Sequence, residues 1–244
     1  MQIQWRWRAG RRRLMAVSLG LSAGLLLSAC GSNGEAAKSP QQILRDTATA
    51  LTAAKSYQIQ GKVATGSGLG SFTFKVGGVN LGEGSFAQGP VSFQMEEIRG
   101  IDYIKSSNLW AGLGGGALQG LLANRWVSIP ADNPLVQQLT TGLAALTSAK
   151  QTAAGFTKGD AKARRGPTST VDGQEVVAVV NGSSTVFVAT RGQPFPIRVT
   201  GSNGSYLNLS NFNASFGITV PKQPVNLLDV IAGLGAGLGS QGRA

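Results

Sequence analysis

Histidine is absent from the 244 residues of the sequence, and cysteine occurs only once, at Cys30. Without histidine the protein lacks the commonest general base and the commonest metal ligand. With one cysteine it can form no internal disulfide and offers no cysteine cluster to a metal ion. We therefore expect no catalytic residues, no metal and no other cofactor, and a fold that is held together by its hydrophobic core.

Acidic residues are also few, since 11 Asp and Glu stand against 22 Lys and Arg. The adjacent pair Glu96 and Glu97 lies in a strand-like run, where neighbouring side chains point to opposite faces. Two acids that are distant in sequence can still meet in a fold. A hydrolase that uses only carboxylates stays open as a third hypothesis, and two carboxylates about 5 to 10 Å apart in a polar cleft would favour it.

The first 30 residues have the three-part pattern of a bacterial lipoprotein signal peptide. Five arginines lie between Arg6 and Arg13, and residues 14–27 are apolar or small throughout. This apolar stretch is shorter than the roughly 20 residues of a spanning helix, and it ends in Leu27-Ser28-Ala29-Cys30. We predict a signal peptide over residues 1–29 and lipid attachment, by palmitate or a similar acyl chain, at Cys30.

This targeting pattern predicts an extracytoplasmic protein that is lipid-anchored to the cell membrane. The pattern outweighs the alternative in which Cys30 is a buried thiol after an ordinary cleavage site. Arg11, Arg12 and Arg13 also fit a twin-arginine signal, so the Sec and twin-arginine export routes both stay open. Removal of residues 1–29 lowers the net charge from +11 to about +6.

The remaining sequence predicts a short tether, one domain and a tail. Residues 30–38 are mostly small or polar and predict a flexible tether. A helix should begin at Ser39, which can cap it, with Pro40 in the first turn, and should run to about Lys55. The domain should extend over residues 39–221, and residues 222–244 form an apolar, glycine-rich tail that predicts a third helix, a lid or a frayed end.

Hydrophobic alternation with a period of two predicts strands through most of the domain. The first set covers residues 57–63, 71–76, 91–96, 101–105 and 125–129. The hairpin dipeptides Asp172-Gly173, Asn181-Gly182 and Asn203-Gly204 separate a second set, which we expect to end at Pro221. Because residues 176–180 and 186–188 are apolar on both faces, this part of the sheet should be covered on both sides or strongly curved.

Two further segments are rich in leucine. The glycine-rich segment from Leu109 to Leu122 predicts a pliable flap or a mobile loop. Leucines at helical spacing predict a second helix from Pro134 to Lys150, and three of them are Leu139, Leu143 and Leu146.

Roughly ten strands and two or three amphipathic helices predict an α+β, mostly β fold. We expect one large curved antiparallel sheet, a half-barrel, with the helices on its concave face. That face encloses either a packed core or an apolar ligand cavity, and the pattern alone leaves both open. The candidate lining residues are Phe72, Phe74, Phe93, Met95, Leu139, Leu143 and Leu146.

Several short motifs resemble the LppX and LprG family of actinobacterial lipoproteins. The most specific is Gly192-Gln193-Pro194-Phe195-Pro196-Ile197-Arg198, and the others are Ala53-Ala54-Lys55-Ser56-Tyr57, Asp102-Tyr103-Ile104, Arg125-Trp126-Val127, Val171-Asp172-Gly173 and Phe187-Val188-Ala189. The resemblance implies a half-barrel similar to the LolA and LolB lipoprotein carriers, with a cavity for acyl chains of envelope lipids or glycolipids. The glycine run at Gly112–Gly116 and the tail beyond Pro221 depart from the family pattern.

The leading hypothesis is therefore a monomeric lipid carrier without catalysis, whose partners are acyl lipids or glycolipids, the membrane and a membrane transporter. Its location excludes nucleic acid. A basic cluster in a predicted loop, Lys158, Lys162, Arg164 and Arg165, is either a solvated loop or an attraction for anionic headgroups that brings the cavity mouth to the membrane. The alternative is a structural or partner-binding envelope lipoprotein with a filled core and no lipid ligand.

Overall fold

The computed structural model describes residues 31–65, 68–134 and 147–240. Twelve strands form one sheet: β1 Tyr57–Thr65, β2 Gly68–Val76, β3 Leu81–Gln88, β4 Val91–Ile98, β5 Ile101–Lys105, β6 Trp126–Pro130, β7 Arg164–Val171, β8 Gln174–Asn181, β9 Ser184–Ala189, β10 Pro196–Thr200, β11 Tyr206–Ser210 and β12 Val225–Asn226. The α-helices are α1 Pro40–Ala53, α2 Leu109–Leu122, α3 Ala149–Thr157 and α4 Leu227–Ser240, and short 3-10 turns lie at Glu35–Ala37 and Asp160–Lys162.

The strand order is β12-β6-β5-β4-β3-β2-β1-β11-β10-β9-β8-β7, in a curved sheet that does not close. The predicted α+β, mostly β half-barrel is confirmed. The sheet is mixed rather than purely antiparallel, because β12 pairs with β6 in parallel through Val225 and Val127. Register shifts between Arg165 and Thr168 and between Pro196 and Arg198 interrupt the ladders, as expected where a sheet bends.

The helix α1 forms as predicted. Its cap Ser39 accepts a hydrogen bond from the backbone N–H of Gln42, and Pro40 occupies the first turn. Ile43, Leu44 and Leu51 are fully buried against the concave face of the sheet. This helix runs back towards the end of the sheet at which β1 begins.

Three strands, β3, β7 and β12, were absent from the prediction, because glycine, edge exposure or short length removes the alternation in them. β3 contains Gly82 and Gly84, which interrupt the apolar alternation. β7 is an edge strand whose residues are mostly exposed and polar. The expected last strand up to Pro221 is wrong, because residues 211–224 form no strand and the chain crosses to β12.

The glycine-rich segment is the helix α2, so the expectation of a flap or mobile loop is wrong. Trp110 and Leu122 are fully buried and Leu118 is buried beside them. The Gln119 side chain ties the helix to its own start by accepting from the N–H of Ala111 and donating to the carbonyl of Ser107. Gly115 has φ +68°, a conformation that glycine adopts readily.

The predicted second helix lies mainly outside the described residues, which resume at Thr147. The helix α3 begins at Ala149, inside the predicted range, and continues beyond Lys150 to Thr157. Ser148 caps α3 by accepting from the N–H of Gln151, and Ala153 and Phe156 are buried in the core beside α1.

Residues from Ser32 onward, which the sequence predicts to be a flexible tether, lie against the sheet. The backbones of Ser32 and Arg191 form an isolated antiparallel β-bridge, and the Asn33 side chain donates to the carbonyl of Ala189 at 2.9 Å. Glu35 is buried and accepts from Lys38 at 2.6 Å. The polar residues that suggested a solvated tether instead satisfy backbone groups at the turn between β9 and β10.

Both faces of the C-terminal half of the sheet are covered, as predicted. Val177 and Val179 join the large core on the concave face. Val176, Ala189 and Ile197 form a smaller core on the other face, against which Phe195 and Phe212 pack. The rings of Phe195 and Phe212 stack at a centroid distance of 4.0 Å.

Candidate functional site

Three rows of side chains cross the concave face from strand to strand. The first row is aromatic and contains Phe72, Phe86 and Phe93. The second is mostly aliphatic and runs through Ile59, Phe74, Gly84, Met95, Ile104 and Val127. The third runs through Tyr57, Val76, Gly82, Glu97, Asp102 and Ile129. Residues directly opposite each other on paired strands share a face, so each row presents one line of groups to the interior.

The second and third rows border a cavity of about 590 Å³. Its apolar lining includes Tyr57, Phe74, Val76, Leu81 and Met95. Residues from the end of α1 and the start of α3 close its other side. Gly82 enlarges it, because a side chain at this position would enter the cavity between Val76 and Glu97.

The cavity reaches the end of the sheet at which β1 begins, which we call the rim end. The turns at residues 77–80, 99–100 and 190–195 all lie at this end, as the strand registers show. Lys55 and Lys150 are exposed and line the cavity here. Val79, at the tip of the turn between β2 and β3, is 93% exposed.

The predicted lining residues divide into two groups within the described chain. Phe74 and Met95 border the cavity. Phe72 and Phe93 face the same side but are packed in the core, where Phe72 lies 6.0 Å from Phe74 and Phe93 lies 5.5 Å from Phe86 between ring centroids. Leu139, Leu143 and Leu146 lie outside the described residues.

Two carboxyl groups face the cavity, and sequence reasoning missed them. Glu97 on β4 and Asp102 on β5 are directly opposite in the ladder, which places their Cβ atoms about 5 Å apart. Asp102 is only 3% exposed, and its Oδ1 atom has no hydrogen-bond partner in the described part of the chain. The two-residue turn at Arg99 and Gly100 was the available signal, because it fixes which residues of β4 and β5 meet.

Burial perturbs both acids in the same direction. It raises the pKa of Asp102 to about 7, and the neighbouring charge of Glu97 adds to this rise. Burial also raises the pKa of Glu97. At neutral pH the pair therefore carries less than its full charge of −2.

The basic cluster lies at the other end of the sheet, so it does not border the cavity rim. Lys158 caps the end of α3, Lys162 is in the 3-10 turn, and Arg164 and Arg165 begin β7. The register of β7 with β8 places these arginines opposite Val180 and Val179, away from the rim end. All four side chains are exposed, and Arg165 donates to the carbonyl of Ala36 at 2.6 Å.

A second depression, of about 460 Å³, lies on the convex face. Its lining includes the polar residues Ser71, Thr73, Ser85, Ser92 and Gln94 together with Phe72, Phe86 and Phe93. It offers less apolar area to an acyl chain than the concave cavity does. The concave cavity is therefore the candidate site.

No family model and no curated protein matches the sequence. Among solved structures, LprF from Mycobacterium bovis is similar with a TM-score of 0.51 and 17% sequence identity, over 78% of this chain and 99% of that one. LppX from Mycobacterium tuberculosis has a TM-score of 0.45 and 14% identity, over 74% and 98% of the two chains. The likeness to LprF establishes the fold, and it agrees with the resemblance that the sequence motifs carry.

Within the described residues, no helix combines the length and apolar character needed to cross a bilayer.

Proposed function

We propose that the protein is a lipid-anchored envelope lipoprotein that binds acyl chains of envelope lipids or glycolipids in its concave cavity and carries them without catalysis. The supporting observation is the apolar cavity of about 590 Å³ bordered by Phe74, Val76 and Met95. The fold shared with LprF supports the same proposal. The partners are the acyl lipid, the membrane and a transporter within it, and the carrier acts as a monomer.

The energetic argument concerns the exposure of the chain to water. An acyl chain in water costs about 0.8 kcal/mol for each exposed CH₂ group. Transfer from a bilayer into an apolar cavity avoids this cost, because both environments are apolar. Direction would then follow supply and removal of the lipid, and no chemical step is required.

We propose an extracytoplasmic location, with acylation at Cys30. Ser32 contacts Arg191 in a turn at the rim end, so an anchor two residues earlier would leave the domain at the same end as the cavity. Lys55, Lys150 and the exposed Val79 are also at this end. A basic, partly apolar surface is suited to an anionic membrane surface.

The acid pair bears on the alternative of a carboxylate hydrolase. Glu97 and Asp102 are directly opposite on adjacent strands, and such enzymes need two carboxyl groups close together. The cavity around them is mainly apolar, however, whereas a sugar-cleaving site needs polar groups to hold the ring. The lipid-binding test also examines this alternative, because it reports whether a bound lipid is recovered intact.

We test the proposal with Gly82→Phe. A Cβ atom at Gly82 meets only the Lys75 carbonyl oxygen at 3.4 Å, an ordinary contact, so the ring can enter the cavity. In contrast, a Cβ atom at Gly84 would lie 2.1 Å from Phe74. If filling the cavity costs about 1–3 kcal/mol, the affinity for the lipid should fall by roughly 5-fold to 150-fold.

The measurement is native mass spectrometry with organic extraction of protein purified from a lipid-containing host. The matched control is Ser85→Phe, which adds the same ring to the exposed face of the same strand. Intact lipid on the wild type and on the control, but not on Gly82→Phe, would support the carrier. A wild-type protein that stays free of lipid after incubation with diacyl and triacyl lipids would favour the partner-binding alternative, and recovered cleavage products would favour the hydrolase.

A further inference from the structure

Asp102 presents a carboxyl oxygen without a protein partner inside a cavity that is otherwise mainly apolar. The residue is 97% buried, its Oδ1 atom has no hydrogen-bond partner in the described ranges, and it lines the cavity beside Glu97. Buried polar atoms normally have partners, and an unpaired one is costly unless a ligand or water supplies the hydrogen bond. The unpaired oxygen therefore indicates a ligand group that donates.

The surroundings show which groups compete for this position. Tyr57 is in the same row, but its hydroxyl donates to the carbonyl of Thr147 at 3.2 Å. Lys55 and Lys150 line the cavity but are exposed at the rim, and no ion pair within the described residues joins either of them to Asp102 or Glu97. Among the described residues, the two acids thus face the interior without an ion-pair partner.

A metal ion is a poor occupant for this position. Two carboxylates on adjacent strands supply two side-chain ligands, and no group of three His, Cys, Asp or Glu residues comes together anywhere in the described chain. Calcium takes six to eight oxygen ligands. An amphiphile with a donor group satisfies the acids and the apolar lining together.

We infer that Glu97 and Asp102 form a polar recognition site in the cavity wall, which selects amphiphiles whose polar end donates hydrogen bonds and rejects amphiphiles whose polar end is anionic. This inference rests on the proposed lipid-binding function and specifies its ligand class. The donor is a hydroxyl group, as in a glycerol or sugar headgroup, or an ammonium group. An anionic end, such as a carboxylate, would meet the negative charge of the pair in a mainly apolar cavity, where charge repulsion is stronger than in water.

The partial protonation of the pair agrees with this selectivity. Burial raises the pKa of both acids, and that of Asp102 lies at about 7. A pair that keeps one proton can both accept and donate, which suits a hydroxyl group. A pair that has lost both protons binds an ammonium group more strongly.

The experiment compares three ligands that share an 18-carbon hydrocarbon chain with one double bond: monooleoylglycerol, oleylamine and oleate. The assay measures how well each ligand displaces the neutral fluorophore N-phenyl-1-naphthylamine from the purified protein at pH 7. Each ligand is used below the concentration at which that ligand aggregates. We expect the wild type to bind at least one of the two donors about tenfold more tightly than oleate, which corresponds to about 1.4 kcal/mol. Preference for monooleoylglycerol identifies the donor as a hydroxyl group, and preference for oleylamine identifies it as an ammonium group.

The double variant Glu97→Leu/Asp102→Leu, which removes both acids, should abolish this preference while it still binds the fluorophore. Asp102→Asn, which keeps the shape and leaves Glu97 in place, should weaken the preference for oleylamine over oleate. The matched control is Glu96→Gln, because Glu96 is the next residue on β4, faces the convex side and also has a buried unpaired oxygen. Its ligand preference should equal that of the wild type.

Circular dichroism melts confirm that each variant is folded. The inference fails if the wild type prefers oleate or shows no preference, or if the double variant keeps the wild-type ranking. In those cases binding of all three amphiphiles leaves the carrier function standing. If the folded wild type binds neither the fluorophore nor any amphiphile, the carrier function itself fails.

Discussion

Asp102 shows how a single residue can reduce stability in return for a specific surface inside the molecule. Its carboxyl group is buried, faces Glu97 across the ladder and has an oxygen with no partner in the described residues. A leucine or asparagine would fit the same space with a smaller desolvation cost. Residues that lower stability in this way are concentrated at functional sites.

The raised pKa of Asp102 predicts a pH dependence of the folding stability. The group binds its proton more tightly in the folded state, with a pKa of about 7 against 3.8 for the ordinary group. The native state is therefore relatively favoured below pH 4, and the stability falls as the pH rises from about 4 to about 7. We expect this fall to be on the order of 4 kcal/mol from Asp102 alone, since each pKa unit corresponds to about 1.4 kcal/mol.

Urea unfolding at pH 4, 5, 6, 7 and 8 measures this dependence. Asp102→Asn should flatten the profile between pH 4 and pH 7, and it should be more stable than the wild type at pH 8. Equal pH profiles for the two proteins would show that Asp102 titrates normally in the folded state.

The helix α2 shows how tertiary packing overrides local propensity at the scale of an element. Gly112, Gly114, Gly115, Gly116 and Gly120 disfavour a helix, each by up to about 1 kcal/mol relative to alanine. The segment is nevertheless helical, because Trp110, Leu118 and Leu122 are buried in the core of the sheet. The sequence showed the leucines, but local pattern does not report what they pack against.

Trp110 is the residue that should matter most for this helix. It is fully buried, and its indole nitrogen has no hydrogen-bond partner among the described residues. Trp110→Ala should lower the free energy of unfolding by about 3–5 kcal/mol, because it leaves a large cavity. Trp110→Phe should cost much less, since it keeps most of the packing and removes the unpaired N–H group. Chemical denaturation of the two variants gives both values, and similar losses would show that the indole N–H is satisfied in solution.

At the scale of the whole molecule, the periodicity of the sequence predicted the architecture better than it predicted where the domain begins and ends. Nine strands and the helix α1 carry clear alternation or capping signals, and the fold class followed from them. The strands β3, β7 and β12 were not predicted, because glycine, edge exposure or short length removes the hydrophobic alternation. The cavity was only one of two readings, because no local pattern separates a lining phenylalanine such as Phe74 from a core phenylalanine such as Phe93.

The C-terminal end of the domain, predicted at Pro221, is the boundary at which prediction and structure differ most. β12 extends the sheet beside β6, and Leu227 of α4 is 1% exposed in the main core. Val225, Val230 and Leu234 pack around that core. We propose that the domain includes this segment.

Truncation after Pro221 tests the extended boundary. It should lower the free energy of unfolding by about 3–6 kcal/mol, because two or more apolar side chains lose their burial. The control is truncation after Ser240, which removes only residues 241–244 and should leave the thermal unfolding midpoint unchanged. Equal midpoints for the two truncated proteins would return the boundary to residue 221.

The contact between Ser32 and Arg191 bears on how the protein would meet its cargo. If Cys30 is acylated as proposed, the two residues that connect it to Ser32 span at most about 7 Å, which gives a short tether between the lipid and the domain. The search for a lipid in that leaflet then becomes two-dimensional, with a high effective concentration of the cavity at the surface. Release of residues 32–38 from the sheet would lengthen this tether by about 23 Å. Breaking a few hydrogen bonds would therefore decide whether the same molecule serves only its own leaflet or reaches an acceptor beyond it.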